Sequence, residues 1–599
     1  MRLTPILNSL QTPPIAPNLV FPPTAPAPRS TIIDFNLSNI LYQIESLREI
    51  GGTAGISIGI ARQGRSILEH QIGFADAEQR MVANSSTRYP LGSLTKGFVA
   101  VTVAQLVGDG VLDWDAPIVE YMPELVFQFD ESLAHRLTLR DLLSHNTGLA
   151  RVDALWLGAD GEVVIPDKNA TIPVCAALRP VYPLRSKWLY NNWMYALAGE
   201  VIERVANISW GKVLSRTVLE RAGLRQTSVL RGDVDKSLAK MNDLTLTDDV
   251  LMSAAGGVRS TVHDMLRWGD VLLASLRDDG NTSLTPSIQL PVDTVFSGHS
   301  FMRRSAASDE LYGLGFAKVH TPARFGRTGF NPGLVGEEGM PLIGSRNHHP
   351  NDEGGRGVEG GRLVFYHNGA LPGYNHCFML IPSLKMVIVV LTNSISHGDI
   401  ADWVAQTLLQ AVLPEVAGNK DTEQDLLGPE ERAAEAWRGT YDNISEVLDA
   451  ERVIGTLEPR HEELVGRYWH EDTGALFLEV YQDYDDSADD EGVGGGHGGT
   501  GVPKLKFNIN DKKSQTRDLT HYHFDVFSFL PPDADERARR GLFHYGPRAW
   551  LLAFEKGDGG EDEGDNREGD MKSVRWVLDE EAPAGGEVFV RRDWELLGY

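Results

Sequence analysis

The chain has 599 residues, 42% hydrophobic and 23% charged, a composition that fills one or more cores and excludes disorder throughout. Its 56 Lys and Arg stand against 83 Asp and Glu, a formal net charge of −27 that repels phosphate backbones and anionic lipid. With no basic patch to offset that field, neither nucleic-acid nor membrane-surface binding is expected. Two cysteines, Cys175 and Cys377, are too few for a disulfide framework and have no histidine at zinc-ligand spacing. Both are expected to be reduced, buried thiols, and no metal or other cofactor is expected.

Residues 1–31 include Pro5, Pro13, Pro14, Pro17, Pro22, Pro23, Pro26 and Pro28, which predicts an extended arm. The prolines interrupt Leu3, Ile6, Leu7 and Leu10, so no continuous apolar leader is predicted. No segment approaches the roughly 18 apolar residues of a membrane helix, and a cytoplasmic location is expected. From about 32 to 415, short apolar strands alternate with amphipathic helices. Strand-like residues 54–61 and 66–71 flank Gln63-Gly64-Arg65, the pattern of a hairpin. A helix is predicted from near Ser93 through Phe98, Val99, Val103, Leu106 and Val107. Steps of three and four through Met194, Leu197, Ala198, Val201, Ile202 and Val205 predict another. The Gly/Pro/Asn-rich residues 321–361 read as a mobile loop or a substrate lid. One strand is predicted over 378–391 and a helix over about 400–412.

Residues 416–430 are polar and read as a linker into a β-rich domain over 431–599. There Leu476, Leu478 and Val480 alternate with polar residues, as do Leu505, Phe507 and Ile509, and Tyr522, Phe524 and Val526. Period-two alternation in several short runs predicts an antiparallel sheet or small barrel. Residues 483–501 and 557–570 are rich in Gly, Asp and Glu and are predicted to be solvated loops.

Three short motifs carry chemistry. In Ser93-Leu-Thr-Lys96, residues three apart at a helix start share a face, so hydroxyl and ammonium can meet. A lysine there can take the serine proton or lower the pKa of another base, and the helix N-terminus favours developing negative charge. In Tyr190-Asn-Asn192, a phenol near a lysine can accept a proton and an amide can hold a substrate carbonyl. In His367-Asn-Gly369-Ala370, the glycine lets substrate approach the strand, and the Ala370 N–H can face an oxyanion. Each motif recurs by chance: Ser209 with Lys212, Ser237 with Lys240, Tyr441 with Asn443, and His497 or His544 before glycine.

The set in this order is far more specific than its parts. With the flanks Tyr89-Pro-Leu-Gly-Ser-Leu-Thr-Lys-Gly-Phe98 and Leu106-Val-Gly-Asp-Gly-Val-Leu-Asp-Trp-Asp115, the chain resembles the serine β-lactamase and penicillin-binding-protein family, most closely its class C and esterase-like branch. Leu137-Thr-Leu-Arg-Asp-Leu-Leu-Ser-His-Asn-Thr-Gly-Leu149, Ala255-Gly-Gly-Val-Arg-Ser260 and Tyr312-Gly-Leu-Gly-Phe316 agree. The resemblance, over about residues 40–412, implies an α/β (α+β) transpeptidase fold, an antiparallel sheet beside a helical subdomain. It implies Ser93 as acyl-enzyme nucleophile, with Lys96 and Tyr190 sharing the proton work in an order the sequence leaves open. Asn192 would bind the substrate carbonyl or side-chain amide. The N–H groups of Ser93 and Ala370 would form an oxyanion hole beside Gly369, and His367 would orient the tyrosine or the substrate. True β-lactamases usually have lysine in place of His367. Histidine there is similar to esterases, D-aminopeptidases and acyltransferases, so a small ester or amide is the expected substrate and antibiotic hydrolysis is not. Trp437-Arg-Gly-Thr-Tyr-Asp-Asn443 and Leu464-Val-Gly-Arg-Tyr468 each resemble the first strand of the lipocalin-like barrel that trails many relatives, with a stabilising, capping or assembly role.

The remaining histidines have plainer readings. His521, His523 and Asp525 resemble a metallo-hydrolase run, but alternation places them on the wet face of a strand with aromatics inside. His348 and His349 read as solvent-facing and His145 as structural. Trp188 and Trp193 read equally as pocket wall or core. The alternative to an enzyme is a non-catalytic scaffold of the same fold, which should have lost a member of the motif set; none is missing. Oligomeric state is not legible.

Overall fold

The computed structural model describes residues 37–159, 163–165, 167–233, 246–276, 289–304, 309–344, 361–413, 427–483, 503–534, 536–537, 546–556, 571–577 and 586–592. The proline-rich arm, most of both acidic loops, Ser237, Lys240, His348, His349, His497 and His544 lie outside them.

Eleven strands precede the C-terminal domain among the described residues: β1 (Gly55–Arg62), β2 (Arg65–Asp76), β3 (Met81–Val82), β4 (Tyr89–Pro90), β5 (Arg259–Ser260), β6 (Ser300–Arg303), β7 (Glu310–Tyr312), β8 (Ala317–His320), β9 (Leu363–Leu371), β10 (Tyr374–Ile381) and β11 (Met386–Thr392). β4 and β5 pair with each other, and the other nine form one antiparallel sheet in the order β3-β2-β1-β11-β10-β9-β8-β7-β6. The β1–β2 hairpin turns through Gln63 and Gly64, both with positive φ (53° and 73°), the turn whose twist suits paired strands.

The residues predicted as one strand over 378–391 form two, β10 and β11. Pro382 cannot continue the ladder, and Lys385 adopts a left-handed φ of 48° that reverses the chain.

Side chains alternate across the sheet. Ile58, Ile60, Ile388 and Val390 pack on one face with the helices Leu37–Gly51 and Ile400–Val412. Val387, Val389 and Leu391 pack on the other with the helix Val262–Ser275 and the helical subdomain, where Thr95–Gly108 and Asn192–Ala206 are buried. Both thiols are free and buried. The described part of 321–361 meets the motif strand at Asn368, through the Thr328 hydroxyl. Ala323, Phe325, Met340 and Ile343 share the core of the Ile400–Val412 face, and Arg327 pairs with Glu310 and Glu337.

Among the described residues, eight strands close the C-terminal barrel: β12 (Gly466–His470), β13 (Phe477–Asp483), β14 (Lys504–Ile509), β15 (Lys512–His523), β16 (Val526–Ser528), β17 (Leu551–Lys556), β18 (Met571–Trp576) and β19 (Glu587–Arg591), with β19 pairing back onto β12. Leu478, Val480, Leu505, Phe507 and Ile509 are buried in it, as their alternation predicts. Phe524 is not: it sits at the β15–β16 turn with φ 47° and 57% exposure. His521 and His523 bond to backbone groups of Phe524 and Val453.

The Trp437 motif is helical rather than the first barrel strand. It lies within the helix Leu427–Glu451, whose buried Ala433, Trp437, Tyr441, Ile444 and Leu448 repeat at three and four. β12 alone opens the barrel, from the Leu464–Tyr468 motif. The helix packs on Leu37–Gly51 and Asn331–Val335, so it lies against the sheet's far side and begins inside the expected linker.

That helix buries Glu430 beside Asp399 and Asp402, behind β9. Asn331 and Gln406 donate to Asp402, and Asn368 donates to both aspartates. Neither Glu430 oxygen has a partner among the described residues. Burial raises all three carboxyls above their usual range, Asp402 to about 6. Their protonated forms are favoured by folding, so their stabilisation is complete below pH ~4 and lost as pH rises through the raised values. Glu430→Gln removes one such proton. Thermal melts should match wild type at pH 4, and the variant should gain about 1.4 kcal/mol per pH unit above that until the native carboxyl ionises. Equal curves at pH 7 would refute the assignment.

Candidate active site

Ser93 sits in a single 3₁₀ turn, Gly92–Leu94, between β4 and the helix Thr95–Gly108. The helix predicted from Ser93 thus begins two residues later. The Ala255–Ser260 motif grips the turn at both ends: Leu91 donates its N–H to the Val258 carbonyl (2.8 Å), and Val258 donates to the Thr95 hydroxyl (3.0 Å). His376 adds a third hold, its Nε2 donating to the Pro90 carbonyl at 2.7 Å and its Nδ1 accepting from Thr392. Burial lowers the His376 pKa to about 4, so the ring is a neutral strut.

β9 passes against this turn with no room for side chains. Gly92 has φ 53°, and a Cβ there would stand 2.7–2.8 Å from the Ala370 backbone. A Cβ on Gly369 would lie 2.3 Å from the Leu91 carbonyl oxygen. These two glycines bring the Ala370 backbone alongside Ser93.

Lys96, completely buried, donates from Nζ to Ser93 Oγ at 3.0 Å, Asn192 Oδ1 at 2.7 Å and the Ala255 carbonyl at 3.1 Å. Nζ also stands 4.8 Å from the centre of the Tyr190 ring. Burial lowers its pKa to about 7, with the Asp153 carboxylate acting in the opposite direction. Tyr190 hydrogen-bonds Ser93, yet desolvation dominates and holds the phenol above its ordinary pKa. Ser93, Tyr190, Asn192 and Ala370 remain partly exposed, while Lys96, His367 and Gly369 are buried. The first four therefore line a crevice with the amine beneath it.

The Tyr190–Asn192 turn is set by Asn191, which caps the helix Asn192–Ala206 by accepting from the Trp193 N–H at 2.9 Å. Asn191 also donates to the Leu149 and Ala150 carbonyls and to His145 Nδ1. His145 is thus structural, with φ 59° and its ring 4.3 Å from that of Tyr190. Trp193 is core; Trp188 is half-buried against Tyr190 and Tyr312. Asn192 Nδ2 stands 3.0 Å from both oxygens of Asp153, which also accepts from the Trp156 indole at 3.1 Å. Asp153 lies in no motif, and nothing in its neighbourhood of the sequence marks it.

His367 hydrogen-bonds Tyr312 (3.0 Å) rather than Tyr190, whose ring centre is 6.0 Å away. Its Nδ1 donates to the Asn368 carbonyl, so Nε2 is the acceptor from the Tyr312 hydroxyl. Burial lowers its pKa to about 3, leaving it neutral.

Among the described residues no group of His, Cys, Asp and Glu has the geometry to hold a metal ion, and no helix is long and apolar enough to cross a membrane. The family model for beta-lactamases matches residues 43–411, more than half of the chain. The chain belongs to the beta-lactamase family. Among its relatives, the unguisins hydrolase ungD of Aspergillus violaceofuscus is 26% identical over 273 residues, 42% of this chain and 47% of that protein. A D-aminopeptidase of Brucella anthropi is 23% identical over 254 residues, 41% of this chain and 47% of the other. The chain spans about half the length of these curated relatives. The solved octameric penicillin-binding protein homologue from Pyrococcus abyssi aligns with a TM-score of 0.48 and 17% identity, covering 93% of this chain and 100% of that one.

The approach of β9 to Ser93 depends on the backbone contact at Gly369. Gly369→Ala should push β9 from the Ser93 turn and cost about 1–3 kcal/mol by overpacking. An unchanged unfolding midpoint would show that the contact is looser than described.

Proposed function

We propose that this chain is a serine hydrolase or acyltransferase that forms an acyl-enzyme on Ser93 from an ester or amide of a small metabolite or peptide. The observation that carries the reading is the 3.0 Å contact between Ser93 Oγ and a buried Lys96 amine whose pKa lies near 7. At neutral pH a large share of Lys96 is uncharged, and its lone pair accepts the Ser93 proton as Oγ attacks the carbonyl. Tyr190, with its phenol held in the protonated form, is the poorer base. Its hydrogen bond to Ser93 suits it to pass a proton to the leaving group. The developing oxyanion faces the backbone N–H groups of Ser93 and Ala370. Asn192 keeps Lys96 in place through Oδ1 and presents one amide proton to the substrate carbonyl while Asp153 holds the other. Water or a second alcohol or amine then takes the acyl group from Ser93.

The neutral, doubly bonded His367 supplies no cation for a substrate carboxylate, which favours uncharged esters and amides over β-lactam antibiotics. The printed names of the D-aminopeptidase and the unguisins hydrolase agree with hydrolytic chemistry.

Incubation with p-nitrophenyl acetate should add one acetyl group to the intact mass, mapped to Ser93 and absent in Ser93→Ala. Lys96→Ala should slow acylation about 10²- to 10⁴-fold. The rate should be half-maximal near pH 7 and fall as Lys96 gains its proton below that value. Added alcohols or amines that draw off the acyl group would mark a transferase. No adduct across a panel of activated esters, or one persisting in Ser93→Ala, would sink the assignment.

A further inference from the structure

The stretch 149–167, which carries Asp153, has one short helix among its described residues, Ala154–Leu157. Two turns of the barrel hold it from outside. On one side Gln515 of β15, with no exposed surface, accepts the Ala159 N–H on Oε1 at 2.9 Å. Gly158, with φ 60°, makes room: a Cβ there would lie 2.5 Å from that oxygen. At the β14–β15 turn, Asn510 donates to the Val164 carbonyl at 3.1 Å, and Val164 in turn donates to the Trp156 carbonyl at 2.9 Å. On the other side Asp472, in the β12–β13 turn, takes a two-pronged contact from Arg179 at 2.9 Å for each nitrogen. The Arg179 carbonyl accepts the Ala150 N–H, and the Ala150 carbonyl accepts from Asn191.

Both holds end on the same place. Asp153 lies between Ala150 and Ala159 in the chain, and its carboxylate and the Asn191 cap together fix Asn192, which touches Lys96. A buried amide is costly to desolvate, and the Gln515 Oε1 recovers part of that cost on the Ala159 N–H, while Nε2 has no partner among the described residues. We propose that the barrel is a working part of the active site, with Gln515 and Asp472 as positioning residues that fix the Asp153 segment and, through Asn192, Lys96. The inference rests on the reading of Ser93 as the nucleophile.

The test uses the full chain and three variants. Gln515→Met keeps length and apolar bulk but removes the acceptor, Gln515→Glu keeps an acceptor, and Asp472→Asn acts at the rim should a core change disturb folding. Acylation by p-nitrophenyl acetate is followed against pH, with hydrogen exchange of residues 149–164 in parallel. Gln515→Met and Asp472→Asn should each acylate about tenfold more slowly, with the half-maximal pH displaced downward as Asp153 loosens its hold near Lys96. Gln515→Glu should recover most of the rate, and exchange over 149–164 should quicken only in the slow variants. Wild-type rates and pH profiles in both slow variants would overturn the proposal. If wild type shows no Ser93-dependent adduct, the nucleophile reading fails separately, and exchange decides: faster exchange in Gln515→Met upholds the clamp, equal exchange refutes it.

Discussion

A single amine held out of water sets the terms for everything around it. Burial favours Lys96 uncharged, whereas three oxygen acceptors and the nearby Asp153 carboxylate favour the cation. Neither influence can be large without the other, because an unpaired buried ammonium would unfold the site and a fully compensated one would never give up its proton. The helix start, the Ala255 carbonyl and the Asn192 amide are arranged to keep that balance near neutrality. Ser93 needs only to stand at the open edge of this arrangement.

β9 joins the site to the rest of the sheet through alternation. His367 and Gly369 face the crevice side, Gly369 against the Ser93 turn and His367 against Tyr312. Asn368 faces the other way, into the carboxylate cluster under Glu430, and is held there by the Thr328 hydroxyl as well. A strand pinned on both faces has little freedom to move, and the Gly369 and Ala370 backbone beside Ser93 is held with it.

Much of this was legible because the informative patterns are local. Ser93 and Lys96 are three residues apart, Tyr190 and Asn192 two, and His367 to Ala370 lie on one strand, so spacing alone reports their shared faces. The barrel strands announced themselves by period two. What escaped has partners far along the chain: Asp153 meets Asn192, His376 meets Pro90, and His367 meets Tyr312. Motif similarity also misled. Trp437 sits in a run with helical periodicity, and the likeness to a strand motif outweighed the spacing of Ala433, Trp437, Tyr441, Ile444 and Leu448. In 378–391, hydrophobicity on both sides of Pro382 masked the reversal at Lys385.

The contacts between the barrel and the Asp153 segment set an order in time. Ala159 bonds to a residue 356 positions later, and Arg179 to one 293 positions later. A ribosome releases Ser93 and Lys96 first, then the strand bearing Gly369, and only after the helix behind the sheet does it supply the barrel residues that bond to Ala159, Val164 and Arg179. Domains fold largely as they emerge, so the beta-lactamase-family half spends that interval without these contacts. A nascent chain therefore carries all its motifs long before it carries a finished crevice.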